Sequence, residues 1–159
     1  IDLIDICSKL NTKNDWRLFL VGDGKLLYKR KLKKYVEQKG LQKKIFFTGL
    51  IENMEEVYRS IDFAVSASLE EGSSNFLLEA ISMKLPIICY DIGGNKDFFF
   101  KNGFLIKFKN KKDFIRKLEV LIDHKRRQDF GKFSIMHFKR NFNNKNSFLK
   151  YSRVYSQIT

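Results

Sequence analysis

Proline occurs once in this chain of 159 residues, at Pro86, and cysteine only twice, at Cys7 and Cys89. Glycine is also sparse, at 9 residues, and no repeat or low-complexity linker interrupts the chain, so a single domain spanning 1–159 is expected. The two cysteines lie far apart in apolar surroundings without metal-ligand spacing; they read as buried free thiols in a reducing compartment. No apolar run approaches the roughly 18 residues of a membrane span. Asp2 and Asp5 break the first apolar segment, which argues against a signal peptide and for a cytoplasmic location. Histidine is scarce too: His124 and His137 sit in a basic, helix-competent region with no carboxylate or cysteine partner in sequence, and read as surface positions rather than metal ligands.

Acidic residues are few. Against 31 Lys and Arg stand 18 Asp and Glu, a net charge of +13. The basic residues are spread over 25–34, 39–44, 101–112 and 125–140 instead of forming one block. Two readings stay open: a compositional bias toward Lys, Asn, Ile and Phe, or a surface drawn to anionic partners, chiefly membrane lipid at the inner face of the membrane.

What the chain does have is alternation. Short runs rich in Val, Ile, Leu and Phe at Trp16–Val21, Lys44–Thr48, Asp62–Ser68, Pro86–Tyr90 and Gly103–Phe108 predict strands covered on both faces. Between them, helical spacing places Leu26, Leu27, Leu32, Tyr35 and Val36 on one helix face that stops at Gly40. Met54, Val57, Tyr58 and Ile61 form a second such face, Phe76, Leu77, Ala80, Ile81 and Leu85 a third, and Phe114, Leu118, Leu121 and Ile122 a fourth. The fold class expected is α/β, a Rossmann-like doubly wound parallel sheet with helices on both faces. Right-handed crossovers then bring every strand-to-helix loop to the carboxyl edge, where such sheets bind ligands. Ile1–Leu10 reads as a helix, so a first strand is expected upstream of it; from about 142 a basic, aromatic-bearing helical tail is expected.

The segment richest in chemistry is Ser68–Ala80, a strand end followed by a polar loop and a helix start. A helix opening there aims free N–H groups and the positive end of its dipole into the crevice, as a diphosphate requires. Gly72 permits close backbone approach, Ser73, Ser74 and Asn75 supply caps and hydrogen bonds, and Glu71 and Glu79 are carboxylates suited to pairs of sugar hydroxyls. The plainer alternative is a capped surface helix with two solvated glutamates.

The run E-G-S-S-N-F-L-L-E-A, followed by P-I-I-C-Y-D-I-G-G-N and N-G-F-L-I, resembles the carboxyl-terminal, donor-binding domain of family 4 (group 1) glycosyltransferases, one half of a GT-B fold. W-R-L-F-L-V-G-D-G at Trp16–Gly24, K-I-F-F-T-G at Lys44–Gly49 and M-E-E-V-Y-R-S-I-D-F-A-V-S-A-S extend the likeness in order through nearly the whole chain. The resemblance implies a contact from Glu71, the first glutamate of an E-x7-E pair, to the transferred sugar, and from Glu79 to the ribose of the nucleotide. It places the backbone of Ser73, Ser74 and Asn75 at the sugar and diphosphate, Gly22 and Gly24 along the cleft, and Thr48 and Gly49 nearer the base. Asp23 is expected to orient its own turn, and Gly93 and Gly94 either shape the opposite loop or touch ligand.

The family transfers a hexose or N-acetylhexosamine with retention from a nucleotide-diphosphate sugar to a saccharide or lipid-linked acceptor. It needs no cofactor and no obligatory metal, and a UDP-sugar is favoured here. The Ser73-Ser74-Asn75 loop resembles enzymes of bacterial surface polysaccharide synthesis. The family's arginine and lysine for the leaving diphosphate precede the first helix and find no match in this sequence, and an amino-terminal acceptor domain would be the partner that completes the cleft. The chain alone is therefore expected to be inactive, and Tyr151 and Tyr155 resemble the last helix that returns toward that domain. Alternatives are a sugar epimerase of the same fold, a scaffold with a relic cleft, and a basic nucleic-acid-binding module; no nucleic-acid motif is present, and the aromatics fall mostly in core strands.

Overall fold

The computed structural model describes residues 1–122 and 127–142. His124, Tyr151, Tyr155 and all but the first residue of the expected tail lie outside them. Strands and helices alternate: α1 (Asp2–Cys7), β1 (Leu18–Val21), α2 (Leu26–Gln38), β2 (Ile45–Gly49), α3 (Met54–Ser60), β3 (Ala64–Ser66), α4 (Asn75–Ser82), β4 (Ile87–Asp91), β5 (Gly103–Lys107), α5 (Lys111–Ile122) and α6 (Arg127–Asn141). A single 3₁₀ turn, Asn95–Phe98, stands between β4 and β5. Among the described residues no helix is long and apolar enough to cross a membrane.

All strand pairs are parallel, in two sheets of order β1-β2 and β3-β4-β5. β4 shows why its sequence runs apolar without a break. Ile88 and Tyr90 enter one core with Ile4, Ile6, Phe114 and Leu118, while Ile87 and Cys89 enter another with Leu77, Ala80, Ile81 and Tyr58. Successive side chains of a strand point to opposite faces, so a strand covered by helices on both sides has no position left for a polar residue. Cys7 and Cys89 are both free and buried, and burial pushes each thiol up to about 12.

β1, β3 and β5 are shorter than their apolar runs, β5 by its last residue alone. Among the described residues, the face of β1 and β2 bearing Phe19 and Phe46 is open instead of covered. The ladder of β1 opens where the Leu18 N–H donates to the Lys44 carbonyl at 2.8 Å, two residues after Trp16. β3 ends at Ser66, whose hydroxyl donates to Ser68 Oγ at 3.2 Å, a local bond that turns the chain away from the ladder. The helix faces are as the spacing implies, with two corrections. Phe76, expected on one buried face with Leu77, Ala80 and Ile81, is 36% exposed. Leu26 and Leu27, expected to pack beside Leu32, Tyr35 and Val36, are 62% and 78% exposed. They occupy the first turn of α2, where no described residue buries them; the packed stripe begins only at Leu32. Gly40, with φ of 67°, stops that helix as expected.

α1 is held by charge: Lys111 Nζ, from the start of α5, lies 2.8 Å from Asp2 and 3.2 Å from Asp5. Tyr35 also donates to Asp5, and that hydrogen bond, ahead of Lys111, holds the carboxyl below its ordinary value. α6 closes the other face. Arg127 donates to the Leu121 carbonyl at the end of α5, and Ser134 Oγ donates 2.6 Å to the Leu85 carbonyl. Between them, Gly131 lets α6 touch the chain just past α4; a Cβ there would stand 2.5 Å from the Lys84 carbonyl oxygen. Gly131→Ala should lower unfolding free energy by about 1–2 kcal/mol, overpacking against backbone outweighing the gain in helix propensity. Urea denaturation measures this, and an unchanged or raised midpoint would show that α6 is not seated as described.

Candidate functional site

Four loops meet at the carboxyl edge of the strands. The first two are bound to each other. Gly22, with φ of 112°, donates its N–H to the Gly49 carbonyl at 2.8 Å, and Gly49 itself has φ of 74°. Thr48 Oγ1 donates to the Gly49 carbonyl at 3.0 Å. Asp23 turns back on its own loop, accepting from the Gly24 N–H at 2.9 Å and from Lys29 Nζ at 3.0 Å. The Lys29 hydrogen bond, then the Gly24 one, holds its carboxyl below the ordinary value.

The third loop leads from β3 into α4. Ser74 is buried and caps the helix, its Oγ accepting from the Leu77 N–H at 3.4 Å. The next turn is apolar inward: Leu77, Ala80 and Ile81 are completely buried against β3 and β4. That packing fixes the helix axis, and the other N–H groups of the first turn stay directed at the crevice. Glu71 lies half-buried before the helix and Glu79 exposed one turn inside it. The fourth loop is a clamp on the third. The Gly94 N–H donates to the Gly72 carbonyl at 3.0 Å. A Cβ on Gly93, whose φ is 50°, would stand 1.7 Å from the Glu71 carbonyl oxygen, and one on Gly94 would stand 2.6 Å from that of Gly72. Gly93 and Gly94 thus shape the loop that bears Glu71.

A cavity of about 1130 Å³ gathers Gly22, Ser68, Glu71, Ser74, Phe76 and Glu79. Gly24, Thr48, Gly49, Gly72, Ser73 and Asn75 do not line it; they lie in or beside the loops that frame it. The volume exceeds the ~300–1,000 Å³ usual for small-molecule sites because the cavity continues as a groove along β1 and β3. Its charge is one-sided. Asp2, Asp15, Asp62, Glu71 and Glu79 line it against Arg17 alone among the cations of the described residues. Positive potential at the polar end therefore comes from the start of α4 and not from a side chain. Among the described residues no three His, Cys, Asp or Glu side chains are grouped to hold a metal ion.

One residue at the site escaped the sequence reading. Tyr58, read as core on the face of α3, donates its hydroxyl to Glu79 Oε2 at 2.8 Å while its ring lies 6.2 Å from that of Phe76. Apolar spacing marks the ring but says nothing of the hydroxyl, whose partner is 21 residues away. His137 stands apart from the site. Its Nε2 is 2.8 Å from the Asp97 carbonyl and its ring stacks on Phe100.

The family model of glycosyl transferases group 1 matches residues 2–124. A poly(ribitol-phosphate) alpha-N-acetylglucosaminyltransferase of Staphylococcus aureus is 30% identical over 129 residues, covering 78% of this chain and 26% of that protein. Among solved structures, Anabaena Alr3699/HepE in complex with UDP superposes with a TM-score of 0.87 at 18% identity, over 98% of this chain and 44% of that one. The carboxyl-terminal domain of a glycosyl transferase group 1 family protein (LpcC) from Francisella tularensis superposes with a TM-score of 0.78 at 28% identity, over 90% and 78%. The chain thus spans about a quarter of the length of its curated relative and under half that of the UDP complex.

Gly93→Ala should break the clamp. A left-handed conformation without glycine costs ~1–2 kcal/mol, and the overlap with the Glu71 carbonyl adds to it. Urea unfolding should show at least that loss, with amide chemical shifts moving most at Glu71 and Gly72. Shifts confined to residues 92–95 would contradict the clamp.

Proposed function

We propose, from the premise that this chain belongs to the group 1 glycosyl transferases, that its cleft holds the donor of a retaining sugar transfer. The donor is a nucleotide-diphosphate sugar, with uridine as the favoured base. The placement of Glu71, Ser74 and Glu79 on one cavity, at the start of a helix, carries this reading. Glu79 accepts from the ribose hydroxyls, the first-turn N–H groups of α4 meet the diphosphate, and Glu71 accepts from hydroxyls of the hexose or N-acetylhexosamine. As the glycosidic bond breaks, negative charge grows on the leaving diphosphate and the helix dipole stabilises it in place. Arg17 lines the cavity at the opposite end of β1, so the side-chain cations that finish this task come from another part of the enzyme. The acceptor, a saccharide or lipid-linked saccharide of a bacterial surface polymer, is held by an amino-terminal domain across the cleft. Complexes of relatives with UDP, and a relative named for alpha-N-acetylglucosaminyl transfer, support this assignment.

The proposal extends to the groove. Among the described residues β1 hydrogen-bonds only to β2 and β3 only to β4, and the cavity runs along both. Ladder bonds in parallel strands alternate sides, so with Leu18 donating to β2 and Ala64 to the chain entering β4, the backbones of Phe19, Val21 and Val65 face the groove. A further parallel strand leading into α1 by a right-handed crossover fits there and joins the two sheets.

Calorimetric titration should show UDP binding with GDP weaker, and no sugar transfer by the chain alone. Glu79→Ala should weaken UDP roughly tenfold or more, the loss of charge-assisted hydrogen bonds. Equal affinity for UDP in the variant would remove Glu79 from the site, and turnover by this chain would overturn its assignment as a donor-binding half.

A further inference from the structure

We propose that Tyr58 is a positioning residue for nucleotide recognition: its hydroxyl fixes the Glu79 carboxylate so that the other oxygen is presented to the ribose of a nucleoside diphosphate. The inference rests on the donor-site reading and adds to it a residue on a different helix. Glu79 is exposed, and among the described residues its carboxylate has no hydrogen-bond or ion-pair partner other than Tyr58. A solvated glutamate samples many rotamers and must lose that freedom when a ligand binds.

Tyr58 is suited to remove that freedom beforehand. Its side chain is 4% exposed, packed in the core with Leu77, Ala80 and Ile81, and set against the ring of Phe76 at the cavity wall. Its two side-chain torsions are therefore locked by packing. The phenol can only donate to an ionised carboxylate, and it does so to Oε2 at 2.8 Å, leaving Oε1 with its acceptor capacity intact. Burial, and then the hydrogen bond to Glu79 itself, raise the phenol well above its ordinary value, so the donor keeps its proton wherever the carboxylate is charged. The link also ties α3 directly to α4, so the ribose contact is set by two helices rather than one.

The test compares UDP with 2′,3′-dideoxy-UDP, which keeps the base and diphosphate but removes the hydroxyls. The wild-type chain should prefer UDP. Tyr58→Phe, which keeps the ring, should weaken UDP roughly three- to tenfold, the affinity equivalent of freezing one flexible side chain, and leave 2′,3′-dideoxy-UDP within twofold. In a Glu79→Ala background Tyr58→Phe should have no further effect on UDP, since the two residues act as one unit. Equal weakening of both nucleotides would reduce Tyr58 to a packing role and overturn the proposal, as would no weakening of either. A wild-type chain that binds both nucleotides equally would instead overturn the ribose assignment of Glu79, a distinct failure read before any variant is made.

Discussion

β4 is buried on both faces, and the position of everything at the carboxyl edge follows from what that burial demands. Ile87 and Cys89 must be covered on one side, and α4 covers them with Leu77, Ala80 and Ile81. A helix seated by three fully buried residues has one allowed rotation. Ser74 then falls at its start, and Glu79 falls on the side that faces the cavity. On the other side Ile88 and Tyr90 are covered by α1 and α5, whose contact is reinforced by Lys111 between Asp2 and Asp5. The site is thus a consequence of packing below it, with only the Glu71–Gly72 segment needing a separate support. The Gly93–Gly94 turn supplies that support from the far end of β4 itself.

Much of this was legible in the sequence, for identifiable reasons. All five strands appear where apolar runs lie, but only β4 is buried along both faces. On β1 and β2 the runs also supply Phe19 and Phe46, which are 44% and 37% exposed and stack on each other on an open face. The helix stripes from Leu77 to Ile81 and from Phe114 to Ile122 are buried as their spacing implies. A cap among Ser73, Ser74 and Asn75 is visible because such residues before an apolar helical face favour that role, but the structure is needed to select Ser74. Leu26 and Leu27 mislead because periodicity reports which residues share a face, not whether anything stands opposite the first turn. Tyr58 is hidden for a related reason: its ring obeys the apolar period, while its hydroxyl serves a partner on another helix. Gly93 and Gly94 left two readings open, shaping the loop or touching ligand, because both select glycine; the Cβ overlaps with the Glu71 and Gly72 backbone account for both glycines by loop shape alone.

The distribution of charge fits half of a two-part site. The chain as a whole carries +13, yet among the described residues the polar end of the cavity is lined by Glu71 and Glu79 and by no Lys or Arg side chain. Asp2 and Asp62 along the groove are already paired with Lys111 and Arg127. Carboxylates suit the polyhydroxylated parts of a nucleotide sugar, and a helix start suits its diphosphate before reaction. Neutralising the charge that appears when the bond breaks calls for more than a helix dipole worth about half an elementary charge. In the proposed enzyme that difference separates binding from turnover: this domain selects and orients the donor, and closure against the partner domain completes the electrostatics.

A direct measurement is an amide chemical-shift map of the chain titrated with UDP at physiological salt. The expected result is perturbation concentrated at Gly22, at Glu71 through Asn75 and at Glu79, with α6 unmoved. Perturbation spread instead over the lysines of α2, and fading as salt is raised, would mean that the nucleotide meets only a basic surface, and the cleft would lose its claim to the donor.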